Sequence, residues 1–263
     1  LLSVTFDNLT SGHNNAVICE NIEGVTFEAY FVKKDSNKLV IFFPGAIDRT
    51  KISPPIYHRW SWHDKIHANT LFVNDPTLYL SDELRIGWLL GEKNINYTEL
   101  MCSFINACIS RMFIGVDEVV FYGSSAGGFM ALQVAANFPN AKVLVNNCQT
   151  NVLKYYKSHV DDLIQTCFSD MSESDIESLH GERVDLVKRF KNKKIPRKII
   201  YMQNTADVFH MINHCLPFIS ALKNEQLDVE SSFILDLYRN DENGHGPISQ
   251  ELTISKLNAF LQE

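Results

Sequence analysis

With 263 residues, 45% hydrophobic and 21% charged, the chain has the balance of a soluble globular protein and ample length for one large α/β domain. A formal net charge of −7 argues against a nucleic-acid partner, and no apolar run approaches the roughly 18–20 residues of a membrane-spanning helix. Six cysteines at 19, 102, 108, 148, 167 and 215 form no C-x-x-C pair and sit in mostly apolar company, which favours a reducing, cytoplasmic setting. No signal peptide is visible, although a chain that starts at Leu1 without Met leaves a removed leader open. Asn8-Leu9-Thr10 and Asn96-Tyr97-Thr98 match the glycosylation pattern, as chance alone provides at this length.

Taken in order, residues 1–36 read as an irregular or β-rich lead-in, with a loose alternation over 25–32 that suits an edge strand. Residues 38–43 are a solid apolar run stopped by Pro44-Gly45, the mark of a strand buried on both faces. Residues 69–73 form the next. Between them, 46–66 is a long, aromatic-rich and partly basic loop containing Arg59, Trp60 and Trp62. Residues 81–114 read as largely helical, most clearly over 96–112, where Leu100, Met101, Phe104, Ile105, Cys108 and Ile109 recur at steps of three and four. A β-type run, 119–122, then enters Gly123-Ser124-Ser125-Ala126-Gly127, and an apolar helical run leaves it for Phe138-Pro139. Strands are expected at 141–145, 197–202 and 231–238, a polar helical stretch at 151–194, and a final helix at 248–261. Strands alternating with helices predict a mostly parallel sheet covered on both faces, in one domain over 1–263. The 151–194 stretch is the one candidate insertion; it follows a strand end, where a lid attaches.

Gly-x-Ser-x-Gly between strand and helix is the pattern of a nucleophile elbow. A Ser at the apex of so tight a turn is strained, and its neighbours two residues away must be small for strand and helix to approach. The alternative is a Gly-rich turn with a capping Ser. A Ser hydroxyl needs a base, and the base an orienting acid. Asp207 lies just past the 197–202 strand, and His245 just past the 231–238 strand, both at the sheet edge expected to carry Ser125. Asp241 and Glu242 are rival acids on the loop of His245, and Asp236 reads as structural. Two oxyanion donors are required: Ala126 N–H supplies one, and Ala46 N–H, in the loop after residues 38–43, the other. His210 is a candidate lining residue. Trp60, Trp62 and Trp88 offer a sugar- or acyl-binding wall, or simply pack. Asp207, His210 and His214 share one helical face, but no further ligand cluster accompanies them, so no metal site is assigned.

With these residues placed, residues 38–262 resemble the α/β-hydrolase superfamily, through the elbow at Ser125, the acid after the penultimate strand and the His after the last. The resemblance implies a three-layer α/β-hydrolase fold with an eight-stranded type of sheet and a helical lid-like insertion. It also implies Ser125, Asp207 and His245 as a catalytic triad, and a covalent acyl-Ser intermediate. Gly-Ser-Ser-x-Gly-Gly at 123–128, Asp-x-x-His at 207–210 and Gly-His at 244–245 are similar to bacterial capsular-polysaccharide O-acetyltransferases of this fold. There an acyl group passes through the Ser to a glycan hydroxyl. The aromatic loop 46–66 and the long spacing from Asp207 to His245 depart from that pattern.

The expected function is therefore a serine acyl enzyme acting on a small ester or thioester. It leans toward O-acetyl chemistry on a bacterial surface glycan, with no bound cofactor and acetyl-CoA as the donor if it is a transferase. A general carboxylesterase uses the same machinery, with water as acceptor. A non-catalytic binding module is the reading from another class.

Overall fold

The computed structural model of the chain describes residues 3–4, 15–225, 227 and 232–263. The Asn8 sequon and Ser231, the first residue expected in the last strand, lie outside the described residues. The strands are β1 (Ser3–Val4), β2 (Asn15–Ile22), β3 (Val25–Val32), β4 (Leu39–Phe42), β5 (Asn69–Val73), β6 (Gly91–Glu92), β7 (Ile95–Asn96), β8 (Val119–Ser124), β9 (Lys142–Asn146), β10 (Lys198–Asn204) and β11 (Phe233–Tyr238). The principal helices are α1 (Tyr97–Met112), α2 (Ala126–Ala135), α3 (Lys157–Cys167), α4 (Glu173–Leu179), α5 (Gly181–Val184), α6 (Leu186–Asn192), α7 (Val208–His210), α8 (Leu216–Asn224) and α9 (Gln250–Phe260).

Nine strands form one sheet in the order β1-β2-β3-β5-β4-β8-β9-β10-β11. From β5 to β11 every pairing is parallel, while β3 runs antiparallel to both β2 and β5. Two-residue β1 is an addition at the edge of the expected eight. The period-2 geometry of a strand divides the apolar runs between two cores. Leu39, Ile41, Phe121, Val143 and Val145 face the cluster that includes α1 and α2 residues. Val40, Phe42, Val120, Tyr122 and Leu144 face the cluster holding Ile254, Leu257 and Phe260 of α9. Each of these ten sheet side chains is at most 1% exposed, which explains why the runs read as continuously apolar.

The chain moves outward from β4 to β5 and then crosses back to β8 on the other side of β4. Such a reversal opens a crevice at the carboxyl ends of β4 and β8, where ligands bind in open α/β sheets.

One sequence expectation fails here. Residues 81–96 are turns and the β6–β7 hairpin, and the helix starts only at Tyr97, where the Asn96 side chain accepts from Thr98 N–H at 3.1 Å. The cause is a buried carboxylate. Asp75 is 1% exposed, and this segment wraps over it: Asp75 Oδ2 accepts from Leu89 N–H at 3.2 Å, while Trp88, Leu89 and Gly91 take φ of 52°, 56° and 68°. A Cβ on Gly87 would lie 2.5 Å from that carboxylate. Left-handed residues in succession end any helix. Burial raises the Asp75 carboxyl to about 6, against the hydrogen bonds from Leu89 and Thr77.

The 151–194 stretch folds into four helices that are built into the body. Val160, Leu163, Ile176, Val184, Leu186 and Phe190 are all at most 2% exposed. Arg183 donates to the carbonyls of Leu90, Glu92 (2.7 Å) and Lys93 (2.9 Å), tying α5 to the hairpin. Arg189 reaches Gln133 O at 3.2 Å and Glu99 Oε1 at 2.5 Å. All six cysteines are free, five of them buried. Among the described residues no helix is long and apolar enough to cross a membrane.

Candidate active site

The elbow shows why its glycines are required. A Cβ on Gly123 would sit 2.1 Å from the Gly127 carbonyl group, and one on Gly127 would sit 2.7 Å from Phe43 O. Strand β8, helix α2 and the end of β4 are therefore packed backbone against backbone. Ser125 sits between them at φ 55°, ψ −126°, a conformation that costs of order 1–3 kcal/mol and persists only where its surroundings enforce it.

Ser125 Oγ lies 2.9 Å from His245 Nε2, and His245 Nδ1 lies 2.6 Å from Asp207 Oδ2. Asp207 is the N-cap of α7, and its side chain also accepts from the His210 backbone N–H at 3.3 Å. Burial acts to raise the Asp207 carboxyl, but hydrogen bonds from His210 and His245 outweigh it and hold the group well below the usual carboxylate range. The loop carrying His245 is fixed from below by asparagines at the ends of β9 and β10. Asn147 Nδ2 donates to His245 O and Gly246 O at 3.0 Å each, and Asn204 Nδ2 donates to Asn240 O and Gly244 O at 2.7 Å each. Asp241 pairs with Arg239 at 2.6 Å and Asp236 with Lys256 at 2.7 Å, so neither is the partner of His245.

Ala126 opens helix α2, where a backbone N–H has no intrahelical acceptor. Ala46 follows Gly45, whose N–H donates to His58 Nδ1 at 2.9 Å. Burial, with Arg59 beside it, pulls His58 down to about 4, so its ring is neutral and accepts. Among the described residues no acceptor faces Ala46 N–H.

Beneath Ser125 lies a second set of side chains. Gln149 Nε2 is 2.8 Å from Ser125 Oγ and 3.1 Å from His210 Nε2, and its Oε1 accepts from Trp88 Nε1–H at 3.2 Å. His210 Nδ1 is 3.1 Å from Asp207 Oδ1, and the His210 ring stacks on that of His245 at 3.9 Å and 16°. Trp88, Gln149 and His210 are each 0% exposed. His210 therefore lies below the site, and its expected place in the pocket wall is corrected. Its polar atoms are engaged by Asp207 and Gln149, and burial is the main influence lowering its pKa.

Other rings cluster around His210: Tyr155 at 5.9 Å and Phe209 at 5.3 Å. Tyr155 stacks with His159 at 5.7 Å, and Tyr156 stacks on Phe209 at 4.1 Å. Burial chiefly raises the Tyr155 phenol, to about 12. Trp62 is not in that cluster; with Tyr122 it packs against the Arg59 guanidinium, which donates to Ser124 Oγ at 2.6 Å. Trp60 is 54% exposed and meets Tyr30 edge-on. Neither has a described contact with Ser125, Asp207 or His245; the loop's tie to the elbow is Arg59 on Ser124. Ligand atoms of Asp207, His210 and His245 fall within 4.8 Å of one another; in this structure they are turned toward each other in the hydrogen bonds above.

Gln149, Asn147, Asn204 and Tyr155 were not singled out by sequence reasoning. The available signal was position: three of the four follow the end of β9, at the same sheet edge as Ser125.

The profile of the prolyl oligopeptidase family matches residues 93–262, more than half of the chain and a span that includes Ser125, Asp207 and His245. No curated protein matches the sequence. Among solved structures, the capsule O-acetyltransferase of Neisseria meningitidis serogroup A aligns with a TM-score of 0.67 at 19% identity, over 98% of this chain and 99% of that one. A variant of it has been solved in complex with CoA. A glycosylation-associated protein complex (Gap123) from Streptococcus agalactiae aligns with a TM-score of 0.68 at 16% identity, over 95% of this chain and 47% of that one. Prolyl oligopeptidase B from Galerina marginata gives 0.61 at 12%, over 94% of this chain and 36% of that one. At these identities the likeness is one of fold, the α/β-hydrolase fold.

Proposed function

The chain belongs to the prolyl oligopeptidase family of α/β-hydrolase-fold enzymes, and from that premise we propose that it is a serine acyl enzyme, transferring an acetyl group from a thioester donor to a glycan hydroxyl. The observation that carries this reading is the unbroken relay Ser125 Oγ–His245 Nε2, His245 Nδ1–Asp207 Oδ2, at 2.9 and 2.6 Å. The Ser125 O–H bond breaks and its proton passes to His245 Nε2 as Oγ bonds to the acyl carbon. Ala126 and Ala46 N–H stabilise the oxyanion; each such donor is commonly worth about 10²–10³ in rate. His245 then returns the proton to the leaving thiolate. Asp207 holds the imidazole tautomer and stabilises the imidazolium. In the second half the acceptor hydroxyl gives its proton to His245 as its oxygen bonds to the acyl carbon; the acyl carbon–Oγ bond then breaks, His245 Nε2 returns the proton to Ser125 Oγ, and the new ester leaves.

Support for transfer, with acetyl-CoA as donor, comes from coverage. The likeness to the Neisseria O-acetyltransferase runs end to end, whereas the peptidase is matched over only 36% of its length. Hydrolysis is the second reading, favoured by a relay open to solvent: the His245 side chain is 39% exposed, so water reaches the acyl group readily.

A fluorophosphonate probe tests the core of this reading: wild type is labelled at Ser125 and the Ser125→Ala variant is not. Equal labelling of both removes it. Acetyl-CoA and p-nitrophenyl acetate, each with and without glycan oligomers, separate the outcomes. Acetate release indifferent to every acceptor makes the protein an esterase, and faster turnover of a prolyl amide would make it a peptidase.

A further inference from the structure

We propose that Gln149 and His210, aligned by Trp88, form a buried second branch between Ser125 and Asp207 that sets the direction of the serine proton and stabilises charge on Oγ during acyl transfer. The proposal rests on the serine acyl reading above. Together with His245, the branch closes a ring of five side chains: Ser125, His245, Asp207, His210 and Gln149.

The polarity of that ring follows from one group with no choice. An indole N–H can only donate. Trp88 therefore fixes Gln149 with Oε1 toward the indole and Nε2 toward the site. The amide NH₂ can also only donate, one hydrogen to Ser125 Oγ and one to His210 Nε2. Ser125 Oγ is then an acceptor on its buried side, and its own proton is left for His245 Nε2. His210, accepting at Nε2, carries its proton at Nδ1, facing Asp207 Oδ1. His245, accepting at Nε2, likewise carries its proton at Nδ1, facing Asp207 Oδ2. The resting protonation pattern is the one from which acylation starts.

As Oγ attacks, its bonding pair goes to the acyl carbon and its proton to His245. In that step the charge develops on the carbonyl oxygen; Gln149 gives up no proton, and when the acyl–Oγ bond later breaks and its pair returns to Oγ, the Gln149 N–H is already on the oxygen that carries the developing charge until His245 returns the proton. A donor 0% exposed to water acts at low local dielectric, where such a bond is strongest. Gln149 thus touches a reacting atom, while His210 is a positioning residue acting through Asp207 and the stacked face of His245. Around His245 the titratable groups are Asp207, His210 and His214, with the Tyr155 ring beside both His210 and His214. The N–H of His210 draws part of the Asp207 charge away from His245. Its loss leaves more negative charge on the carboxylate that faces His245 Nδ1 and so favours the imidazolium, which moves the acidic limb of the rate profile to higher pH.

The test uses p-nitrophenyl acetate turnover over a pH series, with thermal melting of each variant. Gln149→Met keeps length but has no N–H, and should lose about 10–100-fold in kcat with KM nearly unchanged, as for loss of one donor to a charged transition state. His210→Phe should raise the acidic midpoint by roughly half a pH unit or more, and His210→Asn, which restores a donor to Asp207, should return it. Gln149→Met within twofold of wild-type kcat, or a His210→Phe midpoint that does not move, overturns the proposal. Should those variants fail to fold, Trp88→Phe decides. It removes the indole N–H together with part of a buried ring, so a kcat within twofold of wild type overturns the proposal, and a several-fold loss supports it where melting stays close to wild type and Trp88→Leu, which also lacks the N–H, loses as much. Failure of the underlying reading looks different: Ser125→Ala would then stay active.

Discussion

From Ser125 to Asp207 there are two paths, one through His245 and one through Gln149 and His210. The first runs on a loop between Gly244 and Gly246, with the His245 side chain 39% exposed. The second lies wholly inside, on residues 0% exposed, at the end of β9 and on α7. Exposure suits a group that must gain and lose a proton beside an incoming substrate. Burial suits one whose hydrogen bonds must not be exchanged for water, since an unmade bond there costs about 1–3 kcal/mol. The same carboxylate serves both: Oδ2 meets His245 Nδ1 at 2.6 Å, and both oxygens face His210 Nδ1, at 3.1 and 3.0 Å.

The comparison breaks most completely at its shared ends. Ser125→Ala or His245→Ala should lower acyl release by about 10⁴–10⁶ with melting close to wild type, because the outer path alone carries the proton. Asp207→Asn removes the acceptor of both paths and should cost about 10⁴ in kcat; a loss of only tenfold would place the orienting acid elsewhere. Gly123→Ala attacks the common anchor, since its Cβ meets Gly127 at 2.1 Å. It should cost roughly 2–4 kcal/mol in denaturant unfolding and remove fluorophosphonate labelling in parallel.

A pH series sharpens the contrast. Burial, with Arg59 beside His58 and His210 beside His214, depresses these two imidazoles to about 4 and about 3. Their folded pKa values lie below the ordinary 6.5, so the native state binds fewer protons than the unfolded chain. Their contribution to stability is complete above about pH 6.5 and is lost as pH falls through 4 toward 3. The melting temperature should fall across that window, and His58→Asn should flatten the upper part of the fall. The smallest effect expected is at Trp60: Trp60→Ala should leave acetate release within about twofold, as befits an exposed ring that meets Tyr30 edge-on.

How much could be read beforehand follows the same division. The apolar runs, the elbow and the residues just past strand ends were legible, because short-range chemistry dictates them: a strand buried on both faces is continuously apolar, and a Ser in a strained turn needs glycines around it. The expectation for Ala46 and Ala126 rests on topology alone, on the loop after β4 and the start of α2. The inner path was not legible, because Gln149 and Trp88 meet 61 positions apart only after the sheet has formed. The helix expected over 81–96 failed for a similar reason. Its pattern is apolar because it is buried, and the buried carboxylate of Asp75 that bends it lies outside the segment. His210 was noticed, but its orientation depends on Asp207, Gln149 and the His245 ring together.

The position of Trp88 has an optical consequence. Of the three tryptophans, Trp60 is 54% exposed and Trp62 packs with Arg59 and Tyr122, while Trp88 is 0% exposed with its indole N–H on Gln149. Esterifying Ser125 changes the oxygen to which Gln149 donates, and so changes the field along the Trp88 indole. On the proposed acyl-Ser125 reading, with Trp60 and Trp62 replaced by Phe, emission from the remaining tryptophan should report acyl-enzyme occupancy in stopped flow without a chromogenic substrate.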